Sequence, residues 1–469
     1  MPTADLTVDR LAELGLVDVT PDDAAIAVEA EPAQPDGLTD DALALRFADA
    51  HAEDMRYCAA WGRWLRWDGT RWRQDETLEV FEAARAVVRA AATEHDAKPR
   101  LRTRLQSAST IAAVVNLARS DRRLATASDD WDHDPWLLAT PTGTVDLRTG
   151  RLRPNDRADL ITKTTAVGPD DTDCPRWLKF LDRIFAGDAE LIGFIQRLFG
   201  YALTGSTREH VFAFFYGTGA NGKGVLLNTW RAILGDYACV ASTETFVAHH
   251  TDRHPTDLAM LRGARTVVAQ ETESNATWAE ARIKSLTGGD PITARFMRQD
   301  FFTYVPTFKL FIAGNVKPNL RTVDEAMRRR LLLVPCTVTI PPAERDPHLT
   351  EKLRPEWPAI LAWAVRGALE WQRSGLAPPA TVREATAGYF GEEDAVGRFL
   401  AERTVKDPAG TAEFQALFAA WKEWATAANE YVGSAKRFAQ NLETRGLPSR
   451  LDPRTRRRIF PGLALRSTA

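Results

Sequence analysis

The segment from Gly217 to Val225 has the residue types and spacing of a loop that binds phosphate groups. From residue 211 the sequence VFAFFYGTGANGKGVLLNTW gives an apolar run, then glycines and a lysine, then a helix-like stretch. In the pattern G-x-x-x-x-G-K, backbone N–H groups point at phosphate oxygens and the lysine reaches the β- and γ-phosphates. The alternative is a glycine-rich turn that binds nothing. We predict that the following residues bind the phosphates of ATP: Gly217, Thr218, Gly219, Ala220, Asn221, Gly222, Lys223, Gly224 and Val225.

Gly224 departs from this pattern, because a serine or threonine usually follows the lysine. The hydroxyl at that position normally ligates Mg²⁺. Without it the metal would keep an additional water and depend more on acidic side chains. We expect a weaker metal site and retained nucleotide binding.

Two glutamates follow a second apolar run. In RTVVAQETE, Glu271 and Glu273 come directly after a strand-like segment, about fifty residues beyond Lys223. A phosphate-loop hydrolase needs a carboxylate at such a strand end to hold the metal, and a base to orient water. We predict that Glu271 is the protein ligand of Mg²⁺ and that Glu273 is a second candidate for metal or base. The alternative is a pair of solvated glutamates.

A third apolar run, KLFIAGN, ends at Asn315, and three arginines precede a fourth run, LLLVPC. The Asn315 amide could sense the γ-phosphate or position the attacking water, although an asparagine at a strand end is also a common turn residue. The arginines Arg328, Arg329 and Arg330 would ordinarily form a solvated face. In ring-shaped ATPases, an arginine from the neighbouring subunit stabilises the transition state.

The four apolar runs are separated by helix-like stretches, which predicts a three-layer α/β core with a largely parallel sheet. The chain has 469 residues, too many for one ordinary domain. We predict a flexible leader (1–40), a mostly helical α+β domain (41–205), the α/β core (206–345), a helical extension with a linker (346–390) and a winged-helix-like domain (391–469).

The composition is an ordinary balance for a soluble protein with real cores, with 44% apolar and 26% charged residues. Four cysteines lack CxxC spacing, which argues against a zinc site or a disulfide framework. We find no signal-like start and no membrane-spanning run, and we expect a cytoplasmic location. The net charge of −3 restricts any binding of nucleic acid to local patches.

Two such patches are visible. The segment WGRWLRWDGTRWR alternates tryptophans with arginines, as a base-stacking surface would, but a hairpin that buries its tryptophans explains it better. Near the end of the chain, SAKRFAQNLETRGLPSRLDPRTRRRIFPGLALR predicts a helix, a turn and two strands around a basic tip, the outline of a winged helix. A basic protein-docking module is the alternative. The predicted DNA contacts are Lys436, Arg437, Arg454, Arg456, Arg457 and Arg458.

The order of motifs resembles that of superfamily 3 helicases of the phage/plasmid and poxvirus-type primase-helicase family. The matching segments in the core are GYALTGS, GTGANGKG, LGDYA, VVAQETE, KSLTGGDPITARFM, FKLFIAGN and DEAMRRRLLLVP. Upstream, DPWLLATPTGTVDLRTGRLRP and CPRWLKFLDRIFAGD resemble the domain that precedes the core in this family. The resemblance covers residues 55–345.

This resemblance implies an AAA+-type core that assembles as a hexameric ring, hydrolyses ATP with Mg²⁺ and moves along single-stranded or forked DNA. By position it gives Lys223 to phosphate, Glu271 to the metal, Asn315 to a polar sensor, and Arg329 or Arg330 to the neighbouring subunit's site. It also implies that a hairpin, formed by ITARF and FFTYV, grips DNA in the ring. The residues expected at its tip and base are Arg298, Gln299, Arg295 and Lys284.

We therefore predict an ATP-driven DNA helicase that acts in replication of a phage, prophage or other mobile element. We expect no primase domain in this chain, so that priming would require a separate primase. Two alternatives stay open. One is a nucleotide-binding factor that recognises or loads at an origin and hydrolyses ATP poorly, and the other is a P-loop small-molecule kinase.

Overall fold

The computed structural model describes residues 37–248, 256–270, 276–298, 300–320 and 323–466. The chain divides into two compact units. The first is Met1–Arg66 with Gln74–Ser128, and the second is Trp67–Arg73 with Asp129–Ala469. Among the described residues, no helix is long and apolar enough to cross a membrane.

The first unit packs helices on a small sheet. Helix α1 begins where Thr39 accepts a hydrogen bond from the Ala42 amide at 3.1 Å, and two aspartates in its first turn favour the helix dipole. Strand β1 pairs antiparallel with β2 and parallel with β4. The elements up to residue 128 are α1 (Asp40–His51), β1 (Met55–Cys58), β2 (Arg63–Trp67), β3 (Trp72–Gln74), α2 (Glu79–Glu94), α3 (Pro99–Leu105), α4 (Ala108–Ala118) and β4 (Ala125–Thr126).

The segment that alternates tryptophan with arginine is structural. Trp64, in the first unit, and Trp72, in the second, are both buried. The Asp68 carboxylate caps the turn by accepting from the amides of Thr70 (2.8 Å) and Arg71 (2.9 Å). Within the second unit, the Arg71 side chain also forms an ion pair with Asp236. These contacts favour the interpretation of a hairpin with buried tryptophans over a base-stacking surface.

The second unit contains a five-stranded, entirely parallel sheet in the order β14-β8-β13-β10-β9. This confirms the predicted mixed α/β class with a parallel sheet. The four predicted strands are present, and the short edge strand β9 was missed. From residue 129 to 335 the elements are β5 (Leu137–Thr140), β6 (Gly143–Asp146), β7 (Arg151–Arg153), α5 (Pro175–Ile184), α6 (Ala189–Leu203), β8 (Phe212–Tyr216), α7 (Lys223–Leu234), β9 (Ala238–Val240), α8 (Thr256–Ala259), β10 (Thr266–Gln270), α9 (Glu280–Gly288), β11 (Ile292–Ala294), β12 (Phe302–Tyr304), β13 (Lys309–Gly314), α10 (Glu325–Arg328) and β14 (Leu331–Pro335).

Helices cover both faces of this sheet, because successive strand residues point to opposite sides. On one face Phe215 packs in a core that includes Phe199 and Trp230, whose rings stack at 4.4 Å. On the other face the Phe214 ring meets Trp278 edge-on at 5.5 Å. The inner residues of these strands are therefore apolar on both faces, as expected of a parallel sheet buried on both sides.

Helix α6 and a later helix, α12 (Trp357–Ser374), touch backbone to backbone. A Cβ atom added to Gly200 would lie 2.0 Å from the Ala368 amide nitrogen, and one added to Gly367 would lie 2.0 Å from the Gln196 carbonyl oxygen. Glycine is therefore required at both positions of this crossing.

The last part of the second unit is a small α/β bundle. Its three-stranded sheet has the order β15-β17-β16, and helices pack on it through Phe399, Trp421, Phe438 and Phe460. After β14 the elements are α11 (Leu349–Leu353), α12, α13 (Ala380–Glu393), α14 (Ala395–Arg403), β15 (Thr404–Glu413), α15 (Phe414–Ala427), α16 (Ala435–Thr444), β16 (Arg450–Leu451) and β17 (Arg458–Leu465).

Candidate functional site

The glycine-rich loop joins β8 to α7 and takes a conformation that needs its glycines. Gly217 has φ 154°, and a Cβ there would lie 2.0 Å from the Cys336 carbonyl oxygen. Gly222 has φ 84°, in the left-handed region, and a Cβ there would lie 2.5 Å from Cγ2 of Ile184. The loop therefore lies against both the end of β14 and helix α5.

Lys223, the first residue of α7, is a buried cation held by neutral acceptors. Its side chain donates to the Gly217 carbonyl at 2.7 Å, to Asn221 Oδ1 at 3.0 Å and to Asn315 Oδ1 at 3.3 Å. Burial lowers the pKa of Lys223 below its usual range. Within the described part of the chain, no carboxylate forms an ion pair with it.

Asn221 fixes the shape of the loop. Its Nδ2 donates to the Thr218 carbonyl at 2.9 Å and to the Cys336 carbonyl at 2.8 Å, while its Oδ1 accepts from Lys223. The side chain is almost fully buried. Asn221 therefore ties the loop to the end of β14 and aims the lysine.

A cavity of about 510 Å³ opens above this loop at the carboxyl edge of the sheet. At this edge Gln270, the last residue of β10, pairs with Ala313, and the next residue of β13, Gly314, pairs with Tyr216. Strand β8 lies between β14 on one side and β13, followed by β10 and β9, on the other. The chain therefore reverses its direction of progress across the sheet at β8, and ligands of open α/β sheets bind at such a reversal of strand order. The lining residues are Gly219, Ala220, Asn221, Gly222, Lys223, Gly224, Val225, Gln270, Ala313, Gly314 and Asn315.

The structure therefore brings most of the predicted phosphate loop together with Asn315. Gly217 and Thr218 form the start of the loop, where Thr218 Oγ1 lies 3.3 Å from Thr339 Oγ1. Gly224 is exposed, and a Cβ at this position would meet no atom within 4 Å. A glycine-rich turn at a helix start, with a buried lysine held by neutral acceptors, suits the phosphates of a nucleotide.

The predicted metal ligand Glu271 and its neighbour Glu273 lie outside the described residues. Strand β10 is described up to Gln270, whose Nε2 donates to Asn228 Oδ1 at 3.1 Å beside the cavity. Among the residues that the structure places, no group of three or more acidic, histidine or cysteine side chains is arranged to hold a metal.

Arg329 and Arg330 lie at the opposite, amino edge of the sheet. They follow helix α10 and directly precede β14, whose first residue, Leu331, pairs with Phe212. Arg329 is exposed, whereas Arg330 donates back to the Ala326 carbonyl at 2.9 Å. Desolvation, and secondarily the charge of Arg329, lower the pKa of Arg330. Neither arginine belongs to the cavity of its own chain.

The predicted hairpin is present as the antiparallel pair β11 and β12. Arg298 is exposed at its tip in a left-handed conformation (φ 61°), and Gln299 lies outside the described residues. The Arg295 guanidinium stacks over the Phe301 ring at 4.5 Å. Lys284 is paired with Asp324, so a contact between Lys284 and DNA would have to compete with that carboxylate.

The C-terminal basic residues fall into two groups. Lys436 on α16, and Arg454 and Arg456 in the turn between β16 and β17, are exposed, and Arg437 is half-buried on α16. By contrast, two residues of the basic run form ion pairs, Arg457 with Glu413 (3.1 Å) and Arg458 with Glu443. Lys436, Arg454 and Arg456 thus form the exposed part of this basic surface.

Sequence reasoning missed two polar residues near the cavity. Gln270 lines it, and Lys317 lies beside it with its ammonium 5.2 Å from the centre of the Tyr216 ring. Both lie within three residues of a strand end, the position that singled out Asn315. The contacts of Lys317 are with distant parts of the chain, which no local pattern could indicate.

Comparisons with known proteins match two parts of the chain to protein families. Residues 44–186 match the family described as D5 N terminal like, and residues 215–330 match a family of unknown function, DUF5906. "Putative helicase 022R" of Frog virus 3 (isolate Goorha) is 28% identical over 339 residues, which are 67% of this chain and 33% of that protein. "Putative helicase L207/L206" of Acanthamoeba polyphaga mimivirus is 26% identical over 300 residues, 59% of this chain and 31% of that protein.

The chain thus spans about a third of the length of these curated relatives. Among solved structures, the apo A form of the NrS-1 C terminal region is 10% identical, with a TM-score of 0.49, and the alignment covers 89% of this chain and 98% of that one. A likeness of this size carries no conclusion about fold or function.

Proposed function

We propose that this chain, which belongs to the D5-like primase-helicase family and corresponds to its helicase part, uses ATP to move along DNA during replication. The observation that carries the proposal is the state of Lys223. A buried ammonium with three neutral acceptors, beside a cavity lined by a helix start, is suited to the phosphates of ATP.

In this proposal the loop holds the nucleotide through its backbone amides and Lys223. Asn221 keeps the lysine aimed at the phosphates through the hydrogen bonds described above. Asn315 lies 3.3 Å from the Lys223 ammonium, within reach of a γ-phosphate or of a water beside it, and would orient that water.

Mg²⁺, when bound, would neutralise charge on the β- and γ-phosphates. The donor set fits it only in part, because Gly224 has no side chain to offer. Glu271, which follows Gln270 at the cavity's edge, would be the main protein ligand, and water would complete the coordination.

We assign the parallel sheet and its flanking helices to an AAA+-type core that works as a ring. The exposed Arg329 lies at the edge of the sheet opposite its own cavity, so it can serve a nucleotide only in a neighbouring subunit. A closed hexamer would supply one such arginine to every site.

DNA would bind at two places. The hairpin with Arg298 at its tip would hold single-stranded DNA in the ring without reading its sequence. We assign the C-terminal elements α14-β15-α15-α16-β16-β17 to a winged helix, in which α16 and the turn beyond β16 would touch duplex DNA. Such a protein fits the replication of a phage, prophage or similar element, with forked DNA as substrate and a separate primase.

One observation favours a second candidate function. The position after Lys223 is open and lacks a hydroxyl, which suits a nucleotide-binding origin or loading factor with poor hydrolysis. A small-molecule kinase is less well supported, because it would have no use for the hairpin or for the C-terminal basic surface.

The test is ATP turnover by the full chain, with and without single-stranded DNA. We expect turnover to rise with DNA and to be abolished in Lys223→Ala, while Lys179→Ala, an exposed lysine on α5, behaves as wild type. Binding of ATP without turnover would favour the loading factor. Turnover that is unchanged by DNA, or that survives in Lys223→Ala, would contradict the proposal.

A further inference from the structure

The loop that begins at Asn315 is fastened to the end of a distant helix. Glu393, the last residue of α13, accepts a hydrogen bond from the Leu320 amide at 2.7 Å. Its neighbour Glu392 forms an ion pair with Lys317 at 3.3 Å. Two adjacent carboxylates thus hold the segment from Asn315 to Leu320, which we call the sensor loop.

A third contact is buried. The Tyr389 hydroxyl donates to the Pro318 carbonyl in the middle of the sensor loop and accepts from Trp278 Nε1 at 3.2 Å. Tyr389 is only 2% exposed, so both hydrogen bonds are sheltered from water. Burial also raises the pKa of Glu393.

The other end of the sensor loop belongs to the nucleotide cavity. Asn315 accepts from Lys223, and the Lys317 ammonium lies over the ring of Tyr216, the last residue before the glycine-rich loop. A ligand that draws Lys223 away from Asn315 would therefore act on a segment whose far end is bound to α13.

The C-terminal bundle starts at the next residue. Asp394 caps α14 by accepting from the Gly397 amide at 2.9 Å, and it also accepts from the Arg445 guanidinium at 2.8 Å. Arg445 is the C-cap residue of helix α16, which carries Lys436. The last residue of α13, Glu393, is therefore bound to the sensor loop, and the next residue, Asp394, is bound to Arg445 at the end of α16.

We propose that the end of α13, from Tyr389 to Asp394, couples nucleotide binding at the Lys223 cavity to duplex DNA binding by the C-terminal bundle. The inference rests on the proposed function, since it takes the cavity as a nucleotide site and the bundle as a DNA site. A phosphate that replaces Asn315 as the partner of Lys223 releases the sensor loop to shift, and the loop carries α13 and α16 with it. Coupling of this kind is reciprocal, so duplex DNA changes the affinity for nucleotide by the same factor.

The experiment measures the affinity of the full chain for a fluorescein-labelled duplex, with and without a non-hydrolysable ATP analogue and Mg²⁺. In the wild type we expect the two affinities to differ by about fivefold or more, within the usual range of coupling. Glu393→Ala should bring the ratio close to 1 and leave basal ATPase within about twofold. Glu384→Ala, an exposed glutamate on the same helix, is the matched control and should keep the wild-type ratio.

Tyr389→Phe removes the hydroxyl and keeps the ring, so it replaces Glu393→Ala as the test variant if that protein does not fold. Glu393→Gln should restore part of the ratio, because its amide oxygen still accepts a hydrogen bond. A ratio of 1 in the wild type, with both ligands bound, would overturn the coupling and leave the proposed function standing. The coupling is equally overturned if Glu393→Ala and Tyr389→Phe keep the full ratio. Failure of the wild type to bind either ligand would instead refute the proposed function, and the coupling with it.

Discussion

The Phe212 amide donates a hydrogen bond to the Arg330 carbonyl at 2.8 Å. This contact aligns the start of β8 with the start of β14 and fixes the arginines at the amino edge of the sheet. The glycine-rich loop leaves β8 at the other edge, five strand residues away, or about 16 Å at the rise of a β-strand. A single chain therefore carries the two parts of the proposed ATPase site at opposite ends of its sheet.

Arg329→Ala should leave ATP binding intact and lower turnover by roughly 10³-fold, the effect of removing an arginine that acts across a subunit interface. When the variant is mixed into wild type, activity should fall out of proportion to its fraction, because each ring contains several shared sites. Steady-state ATPase over a mixing series measures this. A strictly linear decrease would exclude a shared site.

Gly224→Ser should lower the Mg²⁺ concentration for half-maximal ATPase by about fivefold, if the added hydroxyl contributes about 1 kcal/mol net. The position is open, so the new side chain should not disturb the loop, and serine is well suited to a helix start. Magnesium titrations of ATPase give the measurement. Glu271→Gln is the companion variant and should be severely impaired at every magnesium concentration.

An unchanged metal requirement in folded Gly224→Ser would mean that another ligand already occupies that coordination position. Gly219→Ser adds the same side chain to the loop at another open position and should not change the requirement.

Charge reversal on the C-terminal bundle should weaken duplex binding without reducing basal ATPase. Lys436→Glu combined with Arg456→Glu removes two exposed cations. The slope of the logarithm of the binding constant against the logarithm of the salt concentration should then become shallower by roughly 1 to 2, because phosphate contacts are lost. Lys406→Glu, on β15 at the opposite edge of the small sheet, is the control. Duplex affinity at several salt concentrations decides the matter, and equal affinity of all three proteins would refute the winged-helix proposal.

Lys309 provides a prediction about pH and stability. Its ammonium is buried and donates to the carbonyls of Ser206 (3.2 Å) and Thr307 (3.1 Å), as well as to Thr204, and burial lowers its pKa well below 10.5. Lys309→Met leaves these carbonyls without that donor, at a cost of about 2 kcal/mol, and should lower the thermal midpoint by roughly 3 °C in a unit of this size.

The pH dependence follows from the direction of that shift. Above the folded-state pKa the unfolded chain binds the extra proton, so the contribution of Lys309 to stability rises with pH until about 10.5. The difference in midpoint between wild type and Lys309→Met should therefore be larger at pH 9.5 than at pH 7. A difference in midpoint that is independent of pH would show that Lys309 stays charged throughout. Lys179→Met, at an exposed lysine, is the control.

Sequence alone was enough for features that depend on neighbouring residues. The glycine-rich loop, the strand that precedes it and the hairpin of β11 and β12 are local patterns, in which apolar runs alternate with turn residues. Strand β9 was missed because it is a short edge strand that pairs with the distant β10, whereas β11 and β12 pair with each other across a turn.

The rest depends on contacts between distant segments. Asn315 contacts Lys223 and Arg329 does not, because of the order and direction of the strands in the sheet. The sequence pattern does not contain that order. The bond from Asn221 to the Cys336 carbonyl joins residues 115 positions apart. The glutamates at the end of α13 likewise have no local feature that would distinguish them from a solvated pair.

The crossing of α6 and α12 constrains how this protein can recombine with its relatives. One helix precedes the sheet in the sequence and the other follows it, yet no side chain separates their backbones at Gly200 and Gly367. An exchange of genetic material with a breakpoint between residues 203 and 357 would join two helices that had not been selected to fit each other. Exchanges outside that interval keep the pair together, so the whole stretch from α6 to α12 should be inherited as one block.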